Sequence, residues 1–156
     1  MRRADREIKN IDEMKDILSR ADACRVALVD GTRPYAVTLN YGFEWEGDLP
    51  VLYFHCARSG RKLDIIAKNP TACAVVDLDH ELVGGPMGCD WGMKYRSVVI
   101  DGIIETVNDP EERKKGLDLL MFHYSGRSGF AYEVAEMSAT VVLRLRVQSV
   151  SGKKKV

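Results

Sequence analysis

No stretch of this sequence approaches the about 18 consecutive apolar residues that a membrane-crossing helix needs. The charged start, apolar run and cleavage site of a signal peptide are missing from its first residues too. Net charge is also lacking: Lys plus Arg and Asp plus Glu number 23 each, so no overall field draws the chain to nucleic acid or an anionic membrane. Cys24, Cys56, Cys73 and Cys89 contain no C-x-x-C pair, and no histidine has the spacing of a zinc site. The cysteines therefore read as reduced thiols and the compartment as cytoplasmic. Neither G-x-G-x-x-G nor G-x-x-x-x-G-K-[ST] occurs, which removes Rossmann and P-loop logic. No serine sits in a nucleophile-elbow motif, and a hydrolase has little support.

What is present fits one globular domain spanning residues 1–156, with 46% apolar and 29% charged residues. Local basic excess is confined to Arg2-Arg3 and to Lys153-Lys154-Lys155, the latter read as part of a solvated tail over 153–156. Residues 5–19 carry Ile8, Ile11, Met14, Ile17 and Leu18 at helical spacing. Cys24 to Val29 reads as a strand ending in the Asp30-Gly31 hairpin signal, with Pro34 to Tyr41 as its partner. Gly42 to Pro50 reads as a polar break, and Val51 to His55 as a third strand. Residues 58–69 turn helical and are stopped by Asn69-Pro70.

Thr71 to Leu78 is again strand-like, and Gly84 to Gly88 is a loop. Arg96 to Val107 is a strand with Gly102 marking a bulge. Asp109-Pro110-Glu111-Glu112 opens a helix that runs to about Tyr124 and ends at Ser125-Gly126. Thr140 to Val147 alternates as the last strand. About six strands and three helices, joined mostly as hairpins, predict a mainly β (α+β) architecture. The expectation is a small antiparallel split β-barrel with peripheral helices.

The chemistry-bearing stretch is His55-Cys56-Ala57-Arg58-Ser59-Gly60-Arg61-Lys62, which joins a strand to a helix. Small residues, a hydroxyl and three cations surround a helix N-terminus, where free amides and the macrodipole favour an anion. Cations oppose that dipole, so a helix built only for stability would carry acids there. A phosphate is the natural guest; a solvated basic turn is the plain alternative. Cys56 beside these charges can be read as an activated thiolate or as a small packed residue. His55, His80 and His123 are scattered, and no metal site is expected from them. Tyr35, Trp45, Trp91 and Tyr95 can form an aromatic wall for a planar ligand or pack as core.

The segments RPYAVTLNY, LPVLYFHCARSGRKLDIIAKNP and YRSVVIDGIIETVNDPEERKKGLDLLMFHY, in this order, resemble the pyridoxamine-phosphate-oxidase-like flavoproteins. The opening MRRADREI and the FH-x-A-x-x-GRK core are most similar to the nitroimidazole-resistance (Nim) branch. The resemblance covers nearly the whole chain and implies an FMN-binding split barrel. It implies that Val37, Thr38, Leu39 and Asn40 lie along the isoalloxazine ring, largely through their backbone. His55, Cys56 and Ala57 would run beside the ribityl chain and ring, while Ser59, Gly60, Arg61 and Lys62 would hold the phosphate. A later strand near Ser97 would approach the flavin, with the site at a homodimer interface.

His55 matches the histidine that the branch sets beside the flavin, and is the candidate catalytic residue. The arginine–histidine pair that grips pyridoxal phosphate is absent, because Arg144 and Arg146 lack a neighbouring histidine. Vitamin B6 oxidation is thus not implied. The expected activity is FMN-dependent reduction of a small-molecule acceptor, such as a nitroaromatic, with NAD(P)H as electron donor. A flavin- or haem-binding module without turnover, or a deazaflavin-dependent reductase on the same scaffold, are the alternatives.

Overall fold

The computed structural model describes residues 3–156. After a 3-10 turn at Ala4–Arg6, the elements are β1 (Glu7–Ile8), α1 (Ile11–Arg20), β2 (Cys24–Asp30), β3 (Arg33–Leu39), β4 (Tyr41–Glu46) and β5 (Leu49–Ala57). They continue with α2 (Arg61–Lys68), β6 (Thr71–Val83), β7 (Gly92–Thr106), α3 (Pro110–Ser125), α4 (Val134–Ala139) and β8 (Thr140–Lys155). The strands pair in the order β3-β2-β6-β7-β8-β5-β4, and β1 adds to β8. All pairings are antiparallel. The two ends of this path, β3 and β4, are consecutive in the chain and joined through Asn40 alone. A sheet whose first and last strands share one linking residue has to curl into a split barrel.

Alternation of side chains along each strand fills the interior. Val26 and Leu28 from β2, Leu52 and Phe54 from β5, Ala74 and Val76 from β6, and Val98 and Ile100 from β7 meet there, with Leu143 and Leu145 from β8. Met14, Ile17 and Leu18 on α1 close one end. The split is pinned at Tyr41, whose hydroxyl donates to the Leu18 carbonyl at 2.6 Å. Its amide donates to the Tyr124 hydroxyl at 3.1 Å, and that hydroxyl donates to the Asp22 carbonyl at 2.9 Å. His123 Nε2 meets the Ala21 carbonyl at 2.8 Å, so the end of α3 is tied to both strand β4 and the loop after α1.

Several expectations hold. Asp109 caps α3 by accepting from the Glu112 amide at 2.8 Å, and Gly126 ends it in the left-handed region. The β7–β8 register shifts between Asp101 and Gly102, the anticipated bulge. Others need correction. The N-terminal helix starts only at Ile11, because Asn10 accepts from the Asp12 amide at 2.8 Å and caps it there. Ile8 instead pairs with Gly152 in β1. The basic start at Arg2-Arg3 falls partly outside the described residues; Arg3 pairs with Asp5 at 2.6 Å.

Gly42 to Pro50 is no break. It is mostly the β4–β5 hairpin, turning at Gly47, which has a φ of 64°. Gly42 serves close approach: a Cβ there would lie 2.3 Å from the Leu120 amide nitrogen and 2.5 Å from the Leu119 carbonyl carbon. Nor is the lysine-rich end a solvated tail. β8 continues through Lys153–Lys155, opposite Ser97, Arg96 and Tyr95, and Lys154 Nζ reaches Glu13 at 2.8 Å. Backbone pairing is indifferent to the charge at the side-chain tip, so a lysine run can continue a strand.

Gly42→Ala should destabilise the chain by about 1–3 kcal/mol, since the clash is with helix backbone rather than a movable side chain. Each kcal/mol corresponds to about 2–4 °C in Tm for a chain of this size. A calorimetric melt at unchanged Tm would refute backbone contact between α3 and β4.

Candidate functional site

The site grows from the end of β5. Leu52 and Phe54 point into the core, and Cys56, two residues on, packs against the same cluster. His55 and Ala57 therefore point the other way and are exposed. His55 and Cys56 thus present their side chains to opposite faces of β5, and Cys56 can serve an outer ligand only through its backbone. Burial pushes the Cys56 thiol above its ordinary pKa, and nearby Lys62 offsets this only in part. This corrects the activated-thiolate reading.

The chain leaves the sheet at Arg58 and enters α2 at Gly60. Gly60 has φ 143° and ψ 159°, a conformation essentially reserved for glycine. A Cβ there would meet nothing within 4 Å, so the requirement is one of backbone rather than space. No side chain caps α2. The Leu63 and Asp64 amides donate to the Gly60 carbonyl at 2.9 and 3.3 Å. Those of Arg61 and Lys62 find no acceptor among the described residues. An uncapped N-terminus with two free amides is ready for an oxyanion.

The two cations behind those amides differ. Arg61 donates from Nη2 and Nε to Asp30 Oδ2 at 2.9 and 3.1 Å, and its guanidinium lies 4.8 Å from the centre of the Tyr35 ring. It ties α2 to the β2–β3 hairpin, and its charge is partly answered already. Lys62 is half-buried and, among the described residues, has no carboxylate within salt-bridge distance. Arg58 turns elsewhere, toward Thr106 on β7 and Val141 on β8. Ser59 is exposed in the same turn.

From Tyr35, β3 runs on to Val37, Thr38, Leu39 and then Asn40. Val37 and Leu39 pack on the core, while Thr38 and Asn40 are exposed. β3 is an end strand of the sheet, paired only to β2, so its outer backbone edge is open. Ser97 does not join this group within one chain. Cys24 pairs with both Leu39 and Val76, and Val76 with Val98, so β2 and β6 stand between Ser97 and β3. The Ser97 hydroxyl donates to the Lys153 carbonyl at 3.3 Å.

His55 lines a cavity of about 150 Å³ beneath α3 and α4, walled by Leu117, Leu120, Met121, Tyr132 and Met137, with Glu136 and Thr140 at its polar side. Tyr132, Glu136 and Met137 are not legible from the sequence, because residues 127–139 show no period from which to place α4. The histidines do not converge: His80 pairs with Asp77 at 3.0 Å and His123 with the Ala21 carbonyl. Among the described residues no three metal-ligating side chains cluster. Nor does an aromatic wall form. Tyr35 lies under Arg61, Trp45 packs against the core beneath Lys15, and Trp91 is exposed beyond the end of β6. Arg144 and Arg146 are engaged by Glu105 at 2.5 and 3.0 Å. Among the described residues no helix is long and apolar enough to cross a membrane.

A curled antiparallel sheet with an open-edged strand beside an oxyanion-ready helix terminus defines the flavin-binding split-barrel class. The model of the pyridoxamine 5'-phosphate oxidase family matches residues 10–154, and the chain belongs to that family. A solved structure from Bacteroides thetaiotaomicron, provisionally assigned to 5-nitroimidazole antibiotic resistance, is similar at 30% identity and a TM-score of 0.81, over 95% of this chain and 86% of that one. A flavocytochrome of Azotobacter vinelandii shares the fold at 20% identity and a TM-score of 0.80, over 100% of this chain and 72% of that one. An FAD- and haem-binding protein of Mycobacterium smegmatis does so at 22% and 0.77, over 96% and 73%. No curated protein sequence matches the chain.

The cysteines offer a direct check on the thiol environment. Burial lifts Cys24 to about 12 and raises Cys56, whereas Cys89 is exposed. Iodoacetamide at pH 7.5 should therefore label Cys89 first and Cys24 last, as read by peptide mass spectrometry. Preferential labelling of Cys56 would restore the activated-thiolate reading.

Proposed function

We propose that the chain is an FMN-dependent reductase working as a homodimer. The observation that carries this reading is the uncapped N-terminus of α2 beside the unpaired edge of β3. The FMN phosphate would sit on the Arg61 and Lys62 amides, with Lys62 supplying the unanswered charge and Gly60 and Ser59 the close approach. From Tyr35, next to Arg61, to Val37–Asn40 is two to five residues, roughly 7–17 Å along a strand. That suits a ring lying on the β3 edge and hydrogen-bonded to its backbone.

When bound, the flavin supplies the electron transfer, and the protein supplies position and electrostatics. NAD(P)H is the proposed donor. His55 would orient the acceptor and hold a proton for it at the mouth of its apolar cavity. A compact acceptor of nitroaromatic type fits the 30% likeness to the Bacteroides protein. The outer face of the sheet bears Ala27, Ala36, Val75 and Val99, with Val29 43% exposed. Pairing of two copies through it would cover apolar surface and bring Ser97 of one copy near the cofactor of the other.

The purified chain should show flavin absorption bands that bleach with NAD(P)H under anaerobic conditions. A haem Soret band, tighter binding of a deazaflavin, or bound flavin inert to every reductant would reject the reading. Lys62→Ala should weaken FMN binding ~10-fold or more, the scale of losing one charge-assisted hydrogen bond. Unchanged affinity would move the phosphate elsewhere.

A further inference from the structure

The turn between β5 and α2 sends its cations in two directions, and Arg58 faces a site of its own. Arg58 lines a polar cavity of about 160 Å³ together with Arg113, Asn108, Ser138, Thr106 and Thr140. Arg113 is half-buried and fixed, since its Nη2 donates to the Met137 and Thr140 carbonyls at 2.6 and 2.8 Å. Among the described residues neither arginine has a carboxylate within salt-bridge distance. Two guanidinium groups and three hydroxyls thus converge on one small space with no internal counter-ion.

A second cavity, of about 400 Å³, adjoins it and shares Arg58, Thr106 and Val141. Its other walls are apolar: Leu63, Ile66, Ala67, Pro70 and Ile104. Glu105 also reaches it, but that carboxylate is held by Arg144 and Arg146. The space is therefore amphipathic, with a cationic head and an apolar body.

We propose that this chain binds a small organic carboxylate here, its carboxylate between Arg58 and Arg113 and its hydrocarbon or aromatic part in the groove between α2 and β7. The planar fork of arginine matches a carboxylate in two parallel hydrogen bonds, which an ammonium cannot reproduce. The head cavity is lined chiefly by polar groups, so selectivity for the rest of the ligand falls to the apolar groove. The site stands apart from the α2 amides and does not depend on the flavin reading.

The test is calorimetric titration of the purified chain with octanoate, 3-phenylpropanoate, octan-1-ol and inorganic phosphate, followed in parallel by flavin absorbance where flavin is bound. The carboxylates should bind ~10-fold or more tightly than octan-1-ol. Arg58→Gln should remove that preference and leave octan-1-ol binding and the melting temperature unchanged, because Arg58 is exposed and has no carboxylate within salt-bridge distance among the described residues. Arg58→Lys should restore it only in part. Equal binding of octanoate and octan-1-ol, or an unaffected Arg58→Gln variant, would overturn the anion head. Phosphate binding as tightly as octanoate would overturn the apolar body. Release of flavin by octanoate would overturn the site's independence and assign the groove to the cofactor.

Discussion

The structure turns on the single residue between β3 and β4. Strand pairing puts these two at opposite ends of the hydrogen-bonded path, while the chain puts them next to each other across Asn40. Both conditions can hold only if the sheet rolls round. The rolled form is then held at Tyr41, whose hydroxyl and amide bond to the loop after α1 and to the end of α3. Burial keeps that phenol neutral, so the contact does not loosen across the ordinary pH range. Rolling without full closure is what leaves β3 with one free edge. The edge is a liability in isolation, open to pairing with other chains, and a resource when something is meant to lie along it.

The second constraint is electrostatic. Arg61 at the first position of α2 opposes the helix dipole and would cost stability if left alone. Asp30 and the Tyr35 ring answer it, at a position only the β2–β3 hairpin can supply. The unfavourable cation is thereby turned into the contact that seats α2 against the edge strand. Among the described residues Lys62 receives no such partner, and no side chain caps the helix at Gly60. A helix selected for stability alone would have a capping side chain there, and acids rather than Arg61 and Lys62 at its first two positions. Of two adjacent cations, one is thus compensated within the chain and the other, among the described residues, is left without a carboxylate.

Local signals carried much of this into the sequence. Asp30-Gly31, Asp109-Pro110 and Asn69-Pro70 each act within a few residues of themselves, and each marks an element boundary in the structure. What escaped was set by contacts distant in sequence. Gly42 reads as a turn residue, yet its role is to admit the backbone of α3, 77 residues later at Leu119. Lys153 to Lys155 read as solvent-bound, and only the pairing of β8 with β7 shows otherwise. The helix start at Gly60 was legible because its residues are contiguous. The cavity beside His55 and the Arg113 end of the polar cavity were not, since α4 is held by Arg113 binding the Met137 and Thr140 carbonyls rather than by any periodicity of its own.

The alternation of β5 adds a last consequence. With Phe54 and Cys56 committed to the core, His55 and Ala57 must face outward, and the next residue, Arg58, begins the turn. Within eight residues the chain therefore sets a histidine under α3 and α4, a guanidinium beside β7 and β8, and free amides beside β3. No loop could hold three directions so firmly by itself. Here the first is fixed by the pleat of a central strand, the last by a glycine-only dihedral, and the middle one by the need to connect them. A substitution that shifted β5 by one residue would exchange His55 for Cys56 on the outer face and disturb all three at once. For that reason the register of β5 against β8, rather than any one side chain, is what sets the directions of all three groups.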